Sequence, residues 1–144
     1  MATLKWVEIS GQEPGGDATV MASRFLLRSR WWVPGFLRAA LAVRRQVRRS
    51  PGALGVSLIA EPAKATFWTL SAWSDRASLE DFVRHSPHAP VMGKYRPKMR
   101  DARFRFWTVP ATGLPVEWAD AKARLTADPG GAAESGADTG EPVT

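Results

Sequence analysis

The sequence predicts an α+β fold in which helices pack against one antiparallel sheet. Strand-like and helix-like segments follow one another in the order β-α-β-β-α-β, and the link between the two middle strands is short enough for a hairpin. This order usually folds into a four-stranded antiparallel sheet with both helices on one face. At 144 residues, of which 44% are hydrophobic, the chain is long enough for one domain with a modest core.

The first strand and the first helix have the clearest signals. An apolar run from Ala18 to Leu27 ends at Arg28, as expected of a strand. In the helix that follows, Pro34 suits the first turn and Ser50-Pro51 ends the element. Apolar residues recur at helical spacing on one side, and arginines occupy the other side. The apolar face carries Phe36, Ala40, Val43 and Val47, and the opposite face carries Arg38, Arg45 and Arg49, with Arg44 and Arg48 on its flanks.

The second half of the chain predicts a hairpin, a broken helix, a last strand and a short terminal helix. Ser74 or Asp75 is a suitable cap for the broken helix. Ser86-Pro87 is expected to interrupt and restart it, since Ser is a good N-cap and Pro a good first helical residue. The predicted bounds are Ala53–Ala60 and Ala65–Trp73 for the hairpin strands, Ala102–Val109 for the last strand and Val116–Leu125 for the terminal helix.

The composition divides the chain into four parts. Residues 1–16 form an N-terminal segment, 17–110 the α+β domain, and 111–127 a C-terminal extension with a short helix. Residues 128–144 contain four acids and no Lys or Arg among Gly, Ala, Pro, Ser and Thr. Such a segment cannot bury enough apolar surface to offset its ordering entropy, so we expect a disordered acidic tail.

Composition also excludes several classes of protein. The absence of Cys excludes a disulfide scaffold and a thiolate nucleophile, and two His residues without Cys predict no metal centre. No apolar stretch approaches the roughly 18 residues of a membrane helix, and residues 1–12 lack a signal-peptide core. We therefore expect a cytoplasmic protein that does not contact membranes.

The net charge of +6 and the arginine face of the first helix raise the question of nucleic-acid binding. A solvated helix face explains them equally well. An RNA-recognition sheet needs exposed aromatic residues in a basic, glycine-containing strand motif. The aromatic strand ATFWTLSAW has no Gly and does not start with a basic residue. We therefore expect no nucleic-acid partner.

Large aromatic residues occupy both faces of the predicted sheet. In one strand Phe67 and Trp73 alternate with Trp68, and in the last strand Phe104 alternates with Trp107. An antiparallel sheet with one face in water should alternate more sharply. The second face must then be covered, and a second copy of the same sheet would cover it. We expect a ferredoxin-like domain that forms a two-fold dimer, with a ligand cavity beside the sheet.

The stretch from Phe67 to Met92, FWTLSAWSDRASLEDFVRHSPHAPVM, resembles a known family. It shows a strand that ends in Trp73, an acidic helix start at Asp75, the apolar pair Phe82-Val83, and Pro87-His88. These features are similar to the antibiotic-biosynthesis-monooxygenase-like dimeric α+β barrel superfamily, and to its spheroidene monooxygenase-like branch. The order of elements matches over about residues 17–110.

The resemblance implies a homodimeric α+β barrel whose subunits each hold a pocket between sheet and helices. Members include cofactor-free oxygenases of phenolic polyketides, haem-degrading enzymes, haem-dependent dehydratases and many proteins of unknown role. Several place an Asn in the pocket, and this chain contains no Asn. No cofactor is predicted, and haem is the alternative, with His88, His85, Met92 or Tyr95 as its ligand.

His88 and Arg24 are the predicted catalytic residues. A neutral His88 would act as a base on a hydroquinone-like substrate, whose anion could pass an electron to dioxygen. Arg24, on a central strand, would hold the anion. The plainer alternatives are a capping histidine and a surface arginine. Aromatic and thioether side chains would form the pocket wall, unless they serve only packing. These predicted substrate-binding residues are Trp68, Trp73, Tyr95, Met92 and Trp107.

The sequence therefore predicts a monooxygenase-like enzyme of secondary metabolism that acts on a small hydrophobic, aromatic or polyene, substrate. Two alternatives stay open: a haem-dependent enzyme on the same fold, and a non-catalytic binding or assembly protein that uses the same cavity.

Overall fold

The computed structural model describes residues 2–9, 16–85 and 88–127. Within these ranges the fold is α+β, as predicted, with one five-stranded antiparallel sheet in the order β1-β3-β4-β2-β5 and four α-helices. The strands are β1 (Ala2–Glu8), β2 (Asp17–Leu27), β3 (Ala53–Glu61), β4 (Thr66–Trp73) and β5 (Met99–Pro110), and the helices are α1 (Val33–Arg49), α2 (Arg76–Arg84), α3 (His88–Tyr95) and α4 (Trp118–Thr126).

Strand β1 is the element that the sequence prediction did not include, so the predicted four strands become five. It pairs antiparallel with β3 at one edge of the sheet, and its register shifts between Leu4 and Val7. This irregularity interrupts the alternation that would have marked a strand. The ring of Trp6 lies against Gly55, at the position where any other residue would carry its Cβ.

Helices α1, α2 and α3 cover one face of the sheet. Phe36 of α1 is the centre of an aromatic cluster there, with ring centroids 4.7 Å from Phe67 and 5.1 Å from Tyr95. Gly35 allows the close approach of Tyr95, because a Cβ at Gly35 would lie 2.7 Å from the Tyr95 hydroxyl oxygen. A second cluster joins α1 and α2 to the other end of the sheet, and includes Trp73.

Helix α4 packs on the opposite face, which we call the outer face. Leu125 is fully buried there against the aromatic and aliphatic side chains of the sheet. The Trp118 indole N–H donates to Ser57 Oγ at 2.9 Å, and Ser57 donates to the Leu4 carbonyl at 2.8 Å. The chain's own C-terminal extension thus covers part of this face, and the homodimer stays a prediction.

Two further predictions concern residues outside the described ranges. The acidic tail and the Ser86-Pro87 break lie outside them, although α2 ends and α3 begins on either side of that break. Among the residues that the structure describes, no helix is long and apolar enough to cross a bilayer.

Candidate functional site

A small cavity lies between the sheet and the three helices, and we call it the inner cavity. Its volume is about 70 Å³. A cavity of roughly 150 Å³ is known to accept benzene, so the inner cavity as it stands holds a few atoms and no complete ring. Its wall is mostly apolar, and its polar or ionisable side chains are Ser23, Thr69, Ser71, Arg44 and His88.

A larger depression, which we call the outer groove, runs between helices α2 and α3 and the edge strand β5. It lies on the helix-covered side of the sheet and not on the outer face. Its volume is about 770 Å³, within the usual size of ligand sites. Phe104 and Phe106 of β5 form its apolar side. The inner cavity and the outer groove share the side chains of Met21, His88, Met92 and Phe104.

His88 lies at this shared boundary, at the first residue of α3. Its Nδ1 lies 3.1 Å from the carbonyl oxygen of Val83, and its ring packs 4.9 Å from the Phe82 centroid. A carbonyl can only accept, so Nδ1 carries the proton and Nε2 of the neutral ring has a free lone pair. Within the described part of the chain, Nε2 makes no hydrogen bond.

Burial lowers the pKa of His88 below its ordinary value, because the apolar surroundings penalise the charged ring. The hydrogen bond to Val83 raises the pKa, but by less than burial lowers it. The ring is therefore neutral near pH 7 and available as a base at Nε2. His85, by contrast, is 65% exposed, and its Nδ1 lies 2.6 Å from the Asp81 carbonyl oxygen.

Gln46 of α1 holds the junction between α2 and α3. Its amide nitrogen donates to the carbonyls of Phe82 and His85, at 3.0 and 3.4 Å. Its amide oxygen accepts the backbone N–H of His88 at 2.8 Å. The ends of helices leave such carbonyls and N–H groups without partners, so one side chain here satisfies both termini. Gln46 is a positioning residue for His88.

Arg44 is the second ionisable residue of the inner cavity. It makes no hydrogen bond or ion pair with any residue that the structure describes, and its Nε is buried without a partner. Burial and the nearby charge of Arg48, in that order, lower the pKa of Arg44. Even so, a guanidinium stays charged near neutral pH. The cavity therefore has a cation on its wall.

Hydroxyl groups form the sheet side of the inner cavity. Ser71 Oγ accepts the indole N–H of the buried Trp73 at 2.9 Å, and its own proton has no acceptor among the described residues. The hydroxyls of Ser23 and Thr69 bond to each other, which leaves the proton of one of them free. The sheet thus presents O–H donors to the cavity.

The structure brings together two of the residues that the sequence analysis selected. His88 and Met92 line both the inner cavity and the outer groove. Trp73 lies one layer behind the wall, where it packs 4.9 Å from Phe82 and donates to Ser71. Tyr95 belongs to the aromatic cluster around Phe36 and lines neither space.

Arg24, Trp68 and Trp107 lie on the outer face, and the sheet separates them from His88. Arg24 donates to Asp101 at 2.9 Å, and its guanidinium carbon lies 5.8 Å from the Trp68 ring centroid. Strand alternation explains the placement, because successive side chains of β2 point to opposite faces. Arg24 and His88 therefore cannot hold one small molecule in the inner cavity together.

Sequence reasoning missed Gln46 and assigned Arg44 to a solvated flank of α1. The signal for Arg44 was its position beside the apolar arc, where a long side chain can reach inward. Gln46 gave no signal, because its partners lie 36 to 42 residues further along the chain. Within the described ranges, no group of three or more acidic or histidine side chains is arranged to hold a metal ion.

A scan against protein-family models matches residues 31–133 to the family described as a domain of unknown function, DUF3291. The chain belongs to the DUF3291 family. The match runs from the start of α1 beyond α4, so the cover of the outer face is part of the family domain. No curated protein matches this DUF3291 chain.

Solved structures with the same fold include several monooxygenase-like proteins. SnoaB of Streptomyces nogalater, a cofactor-independent oxygenase, matches 69% of this chain and 99% of its own, with a TM-score of 0.55 and 18% identity. A candidate antibiotic biosynthesis monooxygenase of Nitrosomonas europaea matches 72% of this chain and 97% of its own, with a TM-score of 0.58 and 12% identity.

A conserved protein of Methanosarcina mazei is similar over 62% of this chain and 90% of its own, with a TM-score of 0.56 and 12% identity. At such identities the likeness establishes the fold of the DUF3291 chain alone: an α+β domain built on one antiparallel sheet, similar to the domains of these proteins.

Proposed function

We propose that this DUF3291 chain is a monooxygenase-like enzyme that oxidises a small aromatic or polyene molecule without a cofactor. The substrate body lies in the outer groove against Phe104 and Phe106, and its reacting end faces His88. The observation that carries the proposal is a neutral His88 with a free Nε2 at the meeting point of a ligand-sized groove and a buried cavity. The fold, shared with a cofactor-independent oxygenase, supports it.

His88 acts as the general base. Its Nε2 removes a proton from a phenol-like substrate, while the Val83 carbonyl stabilises the imidazolium through Nδ1–H. The substrate anion then passes one electron to dioxygen, and the two radicals combine. One oxygen atom enters the substrate and the other leaves as water, so a phenol becomes a quinone. The apolar wall excludes bulk water from the anion.

Oxygen consumption tests this role. The wild-type chain, offered hydroquinones and naphthols, is expected to consume dioxygen and to place one labelled atom of ¹⁸O₂ in the product. His88→Ala is expected to lower the rate by a factor of about 10²–10⁴, the usual contribution of a general base. His85→Ala is the matched control, because it removes an exposed histidine three residues away, and it should keep the wild-type rate. Equal rates in both variants would remove His88 from the reaction.

Haem is the alternative cofactor. The inner cavity is far too small for a porphyrin, whereas the outer groove has the volume of a cofactor site. His88 would be its axial ligand through Nε2, and a haem would supply oxygen activation. An absorption spectrum of the purified chain with added haem decides this, since a Soret band that His88→Ala abolishes would favour the haem enzyme.

The homodimer, the cytoplasmic location and the spheroidene monooxygenase-like branch stay predictions. A non-catalytic binding protein is the remaining alternative, and it would bind the same ligands without consuming dioxygen.

A further inference from the structure

The charged and polar groups of the inner cavity are almost all hydrogen-bond donors. Arg44 contributes a guanidinium, and Ser71 and the Ser23–Thr69 pair contribute hydroxyl protons that lack acceptors. Among the described residues, no carboxylate lines the cavity. The Nε2 lone pair of His88 is an acceptor, and it lies at the boundary with the outer groove.

The Arg44 Nε, buried at the apolar wall without a partner, costs free energy unless a hydrogen-bond acceptor arrives. Arg44 has no partner within the described ranges, and the other arginines of α1 lie on its solvent side, where water serves them. A ligand that carries a negative oxygen would pair with Arg44 and accept the Ser71 proton. Hydrogen bonds to a charged group are the stronger kind.

The outer groove favours the same charge. Arg84 and Arg96 lie along it. Arg84 is paired with Asp81 at 3.8 Å, and the one acid of the groove, Glu80, is paired with Arg76 at 3.4 Å, so Arg96 has no ion pair among the described residues. The guanidinium carbon of Arg76 in turn lies 4.5 Å from the Phe106 ring centroid. An anion that approaches this side of the molecule therefore meets a positive rim and an apolar wall.

The sizes of the inner cavity and the outer groove fit a ligand with a small head group and a larger body. The inner cavity, at about 70 Å³, has room for a carboxylate or a single oxygen atom with its carbon, and the outer groove has room for rings or a chain. The flexible side chains of Met21 and Met92 lie between the two spaces. Unbranched thioethers change rotamer easily, so they can let a head group pass.

We propose that the inner cavity is a binding site for the anionic oxygen of an otherwise apolar ligand, a carboxylate or a phenolate, with Arg44 as its charge partner and Ser71 as a hydrogen-bond donor. This inference deepens the proposed function, since it names the class of substrate that the same site takes, and it rests on that function only for the location of the ligand.

Binding of matched probes tests the proposal by titration calorimetry at pH 7.5. We use 1-naphthoate, which is charged, and 1-naphthamide, which has a similar shape and no charge. The wild-type chain is expected to bind 1-naphthoate more tightly than 1-naphthamide. Arg44→Gln is expected to weaken the binding of 1-naphthoate about tenfold or more, as the loss of a charge-assisted hydrogen bond implies. The affinity for 1-naphthamide should change little. Arg44→Lys should keep part of the preference.

Arg45→Gln is the matched control, because it removes the same charge one residue along α1 from a side chain outside the inner cavity. It should leave both affinities within about twofold, as expected for a solvated charge. An equal effect of both variants would overturn the proposal, since the preference would then come from the overall charge of the helix. Absence of any preference in the wild type, with 1-naphthamide bound, would overturn it and leave the proposed pocket standing.

A third probe, 1-naphthol, separates the two kinds of anion. If the bound naphthol shows the absorption of naphtholate at pH 7.5, the site takes phenolates, and if only 1-naphthoate binds, it takes carboxylates. Both results support the anion site. Failure of all three probes to bind at millimolar concentration would overturn this inference together with the proposed pocket.

Discussion

Burial of the His88 imidazole couples its protonation to folding. Because the pKa of His88 is lowered, the folded chain resists a proton that the unfolded chain accepts once the pH falls below about 6.5. The contribution to stability is therefore complete above that pH and declines as the pH falls towards the pKa of the folded state.

Urea unfolding at pH 7.5 and pH 5.5 measures this effect. We expect the wild-type chain to lose more stability between the two pH values than His88→Gln, which cannot titrate. His85→Gln is the control, because its side chain is 65% exposed, and it should behave as the wild type. Parallel losses in the wild type and His88→Gln would show that the ring is solvated rather than buried.

At the residue scale, the structure places His88 and Met92 of the predicted site beside one cavity, and their catalytic and binding roles stay predictions. Arg24 was selected as a strand arginine, but alternation along β2 directs it to the outer face, and periodicity alone cannot say which face a helix layer will cover. Arg44 was taken as solvated, although a residue at the edge of an apolar arc can reach the core.

At the element scale, Gln46 joins three helices by one amide group. We expect Gln46→Ala to lower the free energy of unfolding by about 1–3 kcal/mol, because buried helix-terminal groups lose their partner. Looser packing at the α2–α3 junction should also hydrate His88, so the pKa of His88 should rise towards its ordinary value. Urea unfolding and an NMR titration of the imidazole protons measure the two effects.

Variants on the same helix separate positioning from mere stability. Gln46→Glu keeps the acceptor for the His88 N–H and loses the donor to Phe82, and its carboxylate adds a negative charge beside the ring, so the pKa of His88 should rise more than in Gln46→Ala. Arg45→Ala, on the exposed side of α1, should change neither the pKa nor the free energy of unfolding. If Gln46→Ala leaves the pKa of His88 unchanged, the amide stabilises the helices without positioning the ring.

The element order was predictable because each strand and helix carries its own periodic signal and its own breakers, such as Pro34 and Ser50-Pro51. Strand β1 was not, since its pairing with β3 depends on a shifted register and on the close approach of Trp6 to Gly55. Contacts between elements far apart in the chain leave no local pattern. The hydrogen bonds from Gln46 to the α2–α3 junction are one such contact.

At the scale of the whole molecule, α4 replaces part of the cover that a second copy would have given. Leu125→Ala is expected to cost about 2–5 kcal/mol, as for other buried leucines, because it opens a cavity between α4 and the outer face. Glu117→Ala is the control, because its side chain is exposed and makes no capping hydrogen bond, and it should stay within about 0.5 kcal/mol of the wild type. Chemical denaturation measures the free energy of unfolding of both variants. An equal loss in the two variants would show that α4 does not stabilise the sheet.

The argument for the predicted homodimer changes, because it can no longer rest on the need to cover the outer face. The outer face no longer requires a partner to stay dry, and the part beside α4 carries Arg24 and Arg103 around Asp101. Two such faces would repel each other unless they met off-centre or bound an anion between them. Sedimentation velocity at micromolar concentration gives the mass of the assembly.

Helix α4 lies on the opposite face of the sheet from the inner cavity and the outer groove. Every side chain of the cavity and the groove precedes Pro110. A chain truncated after Pro110 would keep every side chain of the cavity and the groove, and would lose only α4 and the segment before it, which cover the outer face. The tryptophans exposed in this way would promote aggregation. A loss of activity in the truncated chain would then reflect poor solubility, and it could be mistaken for a catalytic defect.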